Sequence, residues 1–349
     1  MLFILLCLII IWVVVSRARN RTSSADTINQ TPIKLPKEEI VSEVFLLLSV
    51  IFLGQVLSGF NTYCLNNLLA GSLLSFAMVI ISFIVAYYFK TIVVLIYSLV
   101  SLMIWWVAQS LIWFNAFDIK LSICYAGIIL IALILYILSR FHDKNDKFKF
   151  FSNVYEVTGL MIIFALLFFC STTTGLSFLE NSMRGNAIFA SWQLVLSILI
   201  IFISLLLALS YTFKQKQLFP IEVAMTFIIM GLAVALILAP AQKLFLGDQL
   251  SNVGIVWAVI INIAVCLIIL GLIFVGYHRN DLNLVNIGIL LLFILAIIKY
   301  FDWFLASLNP SLFFIGAGIV FFTMGWLMER GRKKIVFRMK FKHDNIISR

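Results

Sequence analysis

Apolar runs of about 20 residues recur from one end of this chain to the other, broken only by short polar stretches. Each is long enough to cross the roughly 30 Å hydrocarbon core of a bilayer as a helix. A segment in lipid must satisfy its own backbone hydrogen bonds, so spans of this kind are helical. A membrane barrel would instead show alternating segments of about ten residues, and those are absent. Eleven runs are read, at 2–15, 42–60, 68–88, 91–113, 120–139, 154–174, 187–212, 218–239, 252–276, 283–299 and 309–328. Hydrophobic residues make up 63% of the 349 and charged residues 11%, against about a quarter charged in a soluble chain. The sequence predicts an all-α fold, a polytopic integral membrane bundle of ten or eleven helices.

The basic residues give an orientation. With 16–41 placed in the cytoplasm, 21 of the 25 Lys and Arg fall on the cytoplasmic side. Only Lys120, Arg184, Lys243 and Lys299 fall on the other. A split that alternates correctly loop after loop is the positive-inside pattern. It predicts the amino terminus outside and the carboxyl terminus in the cytoplasm, in the bacterial inner membrane. The net charge of +10 is then a topology signal, and no nucleic-acid partner is expected. The chain divides into a short anchor, 1–15, a polar cytoplasmic linker, 16–41, a bundle, 42–328, and a basic cytoplasmic tail, 329–349. The first run reaches only about 21 Å. Without a basic start or a small-residue cleavage site, it reads as an uncleaved anchor. The longest external loop is expected at about 175–186.

Carboxylates stand at the heads of three runs, each followed by valine: Glu43, Glu156 and Glu222. A helix start carries partial positive charge and free N–H groups, and an exposed carboxylate there gains about 0.3–1 kcal/mol. The competing reading is a proton or cation site open to the cytoplasm, since acids within membranes are costly and often functional. Glu156 and Glu222 are 66 residues apart, and Asn286 follows 64 later at a similar helix start, a weak internal repeat.

Gln55 lies mid-run, with Gln109, Gln193 and Asn262 in later runs. Such amides bond neighbouring helices or touch a substrate. Small residues at Gly231, Ala235 and Ala239, at Gly71 and Ser75, and at Gly316 and Gly318 predict close helix approaches. Trp105, Trp106, Trp113 and Trp303 read as interfacial belts. Glu180 and Arg184 read as an exposed i,i+4 pair. In the tail, Arg332, Lys333, Lys334, Arg338, Lys340 and Lys342 could hold the anionic inner leaflet, at about 1 kcal/mol per basic residue near the surface.

The five cysteines form no CxxC pair; buried thiols, or a bridge from Cys64 to Cys124 or Cys170, are the readings. The chain has no nucleotide-binding glycine loop, HExxH or GxSxG. All three histidines, His142, His278 and His343, read as cytoplasmic loop or tail residues. No cofactor and no metal are expected.

Two stretches carry a resemblance. Tyr300, Phe301 and Asp302, then Ser311 and Leu312, Gly316 and Gly318, and Glu329 with Arg330 are similar to the closing segment of a bacterial membrane-protein family of unknown function, domain of unknown function 2157. Gly54 and Gln55 resemble that family's Gly-Gln helix, and the similarity runs loosely over 42–334. Residues 1–41 depart from the larger polar amino-terminal region of such proteins. The resemblance implies a multi-pass membrane fold and no assigned activity.

Three functions fit these observations. The leading one is a non-enzymatic membrane protein, a scaffold or partner of another envelope protein, with the lipid bilayer as its surroundings. The second is a secondary transporter or lipid-handling protein with a cleft lined by Gln55, Glu156 and Glu222. The third, a membrane-embedded transferase, is disfavoured by short external loops and the missing acid–base cluster.

Overall fold

A computed structural model describes residues 37–63, 71–143, 148–186, 188–215, 217–247, 249–304 and 309–347. The run at 2–15, most of the polar linker, Cys7 and Cys64 lie outside them. Eleven α-helices are present among the described residues, so the all-α expectation holds. They are α1 (Lys37–Tyr63), α2 (Gly71–Phe89), α3 (Ile92–Phe117), α4 (Leu121–Asp143), α5 (Lys149–Ser171), α6 (Thr173–Ser182), α7 (Trp192–Lys214), α8 (Pro220–Leu238), α9 (Asn252–Arg279), α10 (Leu282–Phe304) and α11 (Pro310–Ile347). A two-residue antiparallel ladder, β1 (Phe245–Leu246) with β2 (Gln249–Leu250), closes the turn before α9. Ten of the helices are long and apolar enough to cross a membrane, and they coincide with the last ten predicted runs.

The chain falls into two compact units. One contains Met1–Ile119, Ile134–Leu160 and Asn186–Thr212. In it α2 packs along α3, and α1 lies against both. Its core holds Val94, Leu95, Leu99 and Trp106, all at most 1% exposed. Trp106 and Trp113 are therefore core residues, which corrects the belt reading for those two. They touch edge to face, with centroids 5.8 Å apart. Trp105 is half-buried, its indole N–H donating to the Ser72 carbonyl at 2.9 Å. Trp303, in the other unit, is 62% exposed.

The second unit contains Lys120–Leu133, Met161–Gly185 and Phe213–Arg349. Here α9 packs against α8 and α10, and α10 against α11. One close helix approach is at Gly276, where an added Cβ would sit 2.7 Å from the Val285 backbone nitrogen. Glycine is required there because α9 turns back into α10 through Asn280, in the left-handed region at φ 53°. Gly316 plays the expected small-residue part, lying against the Tyr300 hydroxyl, which donates to the Phe313 carbonyl at 2.8 Å. Gly231 and Gly71 do not, because nothing lies within 4 Å of a Cβ built at either. Periodicity alone finds a stripe but not the surface it faces.

Where an external loop is expected at 175–186, the chain forms α6 instead. Thr172 caps it, accepting from the Gly175 N–H at 3.0 Å. The hydroxyls of Ser171 and Thr172 bond their own helix carbonyls, as the sequence suggests. Thr173 donates through its N–H and hydroxyl to Asp302 at 2.9 and 2.7 Å, which ties α6 to the end of α10. Lys299 pairs with Asp302 at 3.6 Å and donates to the Ser171 carbonyl. Cys170 and Cys266 are free thiols and Cys124 is buried, while Cys64, the other end of the bridge read from the sequence, lies outside the described residues.

Candidate functional site

Two of the three Glu-Val positions become buried Arg–Glu clamps, one in each unit. The first joins α4 to α5. Arg140 ends α4, and its Nη2 lies 3.1 Å from Glu156 Oε1. Both side chains are 3% exposed. The same Nη2 donates to the Tyr136 hydroxyl at 2.9 Å, and the guanidinium lies 4.8 Å from the Tyr136 ring centroid. Because α5 begins at Lys149 rather than near 154, Glu156 sits two turns inside the helix. That corrects its reading as an exposed helix-end carboxylate.

Beside this clamp stands a chain of aromatic hydroxyls. His142 Nδ1 lies 2.8 Å from the Leu138 carbonyl, which can only accept, so Nδ1 carries the proton. In the neutral ring Nε2 is then an acceptor, and the Tyr87 hydroxyl donates to it at 2.9 Å. Tyr87 in turn accepts from Tyr155 at 2.8 Å. The Tyr155 ring stacks on His142 with centroids 5.2 Å apart. His142 is 4% exposed and lies in the last turn of α4, not in a loop as the sequence suggests.

The second clamp joins α8 to α9. Arg279 Nη2 lies 2.7 Å from Glu222 Oε2 and donates to the Gln217 carbonyl at 2.6 Å. Glu222 is fully buried, whereas Arg279 keeps 17% exposure. Glu222 also works within its own helix. It stands at the third position of α8, behind Pro220, and its Oε2 accepts the Phe219 N–H at 2.9 Å. This is the helix-end role expected from the sequence. It is combined with a burial and an ion pair that the sequence does not suggest.

Asn286, the third member of the weak repeat, accepts from Arg332 Nη1 at 3.4 Å. All three repeat positions thus meet an arginine of another helix: Arg140 and Arg279 in the last turns of α4 and α9, and Arg332 within α11. Glu43 is half-buried on α1, and Gln55 is exposed on the same helix. Gln55 and Glu156 belong to one unit and Glu222 to the other.

Arg332 and Lys333 both pair with Glu329, at 2.8 and 3.8 Å. The backbone of α11 stays helical to Ile347. The side chains of Arg338, Lys340 and Lys342 lie outside the described residues. Sequence reasoning missed Arg140, Arg279, His142, Tyr87 and Tyr155. The usable signal is a cation one to three residues after a predicted run end, with an acid at the start of another run.

No group of three or more His, Cys, Asp or Glu could hold a metal among the described residues. Chemically, the clamps neutralise buried charge and fix helix pairs, and Tyr155, Tyr87 and His142 form one hydrogen-bonded chain. Comparisons with protein-family models, curated proteins and solved structures return no match.

Proposed function

We propose that this chain is a multi-pass protein of the bacterial cytoplasmic membrane and acts as a non-catalytic scaffold or partner of an envelope system. Ten long apolar helices and the 21-to-4 split of basic residues support insertion with both clamps on the cytoplasmic side. Reporter fusions at Lys147, Lys214 and Arg332 are expected to read cytoplasmic, and fusions at Asn61, Asn181 and Gly247 external. An external signal at Lys214 would overturn this orientation.

The observation that carries the scaffold reading is that both buried glutamates are bound by arginine. A carboxylate that couples proton movement must exchange its proton. One closed by a guanidinium holds its helices in register instead. The double variant Arg140→Met with Glu156→Leu removes every titrating group of the first clamp and keeps its bulk. It is expected to rescue whatever phenotype deletion of the gene produces.

A transporter is the second reading, favoured by one observation: the Tyr155–Tyr87–His142 chain runs beside Glu156, one residue from Tyr155 in sequence. A double variant that folds and inserts normally but fails to rescue would favour that reading over the scaffold.

A further inference from the structure

The most exposed of the ten long helices is α1, with 6% of its apolar window buried. The next is α11, at 11%. Bare apolar surface on either is what lipid contact requires, so apolarity alone separates nothing. Their polar groups do. On α11 the Thr323 hydroxyl bonds the Ile319 carbonyl of its own helix at 2.7 Å. On α1 Ser49 and Thr62 do the same, to Phe45 and Ser58 at 2.8 and 3.0 Å. Gln55 does not. Its side chain is exposed, and it bonds none of the described residues. A carboxamide has two donors and an acceptor, too many for a helix whose backbone is already paired. Left in hydrocarbon, such a group costs several kcal/mol.

Gln55, Ser58, Gly59 and Thr62 stand at i, i+3, i+4 and i+7, hence on one face of α1. A Cβ built on Gly59 would meet nothing within 4 Å, so this part of the face is open. The face joins an unsatisfied amide, which is both donor and acceptor, to a stretch where another backbone can come close. A two-fold axis brings a surface against itself, and the carboxamide is the uncharged side chain that best complements itself.

We propose that the Gln55 face of α1 is the contact for a second copy of this chain, with the two Gln55 amides hydrogen-bonded across the axis in the membrane. The proposal rests on the membrane reading above.

The test is disulfide trapping in native membranes. Gly59→Cys is placed in a full-length chain whose five cysteines are replaced by serine or alanine, and mild oxidation is followed by sizing. Phe322→Cys, on α11 and 79% exposed, is the control for random collision. Expected are a covalent dimer from Gly59→Cys and almost none from Phe322→Cys. Adding Gln55→Leu should reduce dimer yield as association weakens about 3- to 20-fold, the equivalent of one interhelical hydrogen bond of about 0.6–1.7 kcal/mol. Gln55→Asn should retain most of it. Equal trapping at both cysteines, or no effect of Gln55→Leu, would overturn the proposal. So would trapping Gly59→Cys to a different protein. Carbonate washing of the same membranes separates the two failures. A chain that stays in the pellet untrapped refutes only the dimer, whereas a chain released by carbonate refutes the membrane reading as well.

Discussion

The two clamps use the same pair of residues and do different work. Arg140 and Glu156 lie 16 residues apart, on consecutive helices, and both are shut away from water. Glu222 and Arg279 lie 57 residues apart, and the arginine keeps 17% exposure and a second partner, the Gln217 carbonyl. Glu222 is also a cap for its own helix, whereas Glu156, two turns into α5, has no free N–H of the first turn to serve. The same Glu-Val signature is therefore a pure charge partner in one unit and a cap with a charge partner in the other. Burying two charges costs several kcal/mol per ion, which a good pair roughly offsets, so neither clamp adds much net stability. What each supplies is intolerance of losing one partner.

That difference sets the order of effects. The largest is expected for Glu156→Ala, which removes the carboxylate 3.1 Å from a guanidinium that is itself only 3% exposed. A loss of about 3–5 kcal/mol follows, read as a drop in melting temperature of the detergent-solubilised protein. Glu222→Ala should cost less, about 2 kcal/mol, dominated by the lost cap, because Arg279 can turn to water and keeps the Gln217 carbonyl. Glutamine sharpens the contrast. Glu222→Gln still reaches back to the Phe219 N–H and should recover much of the loss, while Glu156→Gln takes the negative charge away from the buried Arg140 guanidinium and should recover little. If glutamine rescues both positions equally, the distinction between the clamps is wrong.

Tyr87→Phe comes next. It removes the donor to His142 and the acceptor from Tyr155, and buried groups left unpaired cost about 1–3 kcal/mol. The smallest effect is expected at Arg184, which is 64% exposed in its pair with Glu180. Arg184→Ala should change stability by under about 1 kcal/mol. Glu180→Ala should exceed it, because Glu180 Oε2 also accepts the N–H groups of Leu244 and Phe245 at 2.9 and 3.0 Å. Equal effects at 180 and 184 would mean that the loop before α9 does not depend on this carboxylate.

Helix number and extent are legible in the sequence, because an apolar run of about 20 residues has one structural outcome with its backbone paired. The ten spans from α1 onward follow from that rule alone, and the boundaries drift by a few residues where polar side chains continue a helix, as at Lys149 and Arg279. The clamps are not legible. A positive-inside count sums Arg140 and Arg279 as loop charges and never asks what they touch. Helix-end electrostatics explains Glu222 but gives Glu156 the same answer, since the start of α5 cannot be placed without knowing that Phe150 and Phe151 are helical. Trp106 fails for a related reason. Its position near the end of a run suggests an interface, but which side of α3 it occupies depends on neighbours far away in sequence. Faces and partners are tertiary facts, and apolar periodicity in a chain this hydrophobic carries little of either.

Arg140 and Glu156 are bound to each other and hold α4 on α5. A double-mutant cycle in melting temperature, using Arg140→Met, Glu156→Leu and the pair together, tests it most directly. Each single variant should melt well below the parent and the double variant should return close to it, because a buried ion pair replaced by apolar side chains of similar bulk is near neutral or stabilising. Single variants that melt with the parent, or losses that simply add in the double variant, would contradict it.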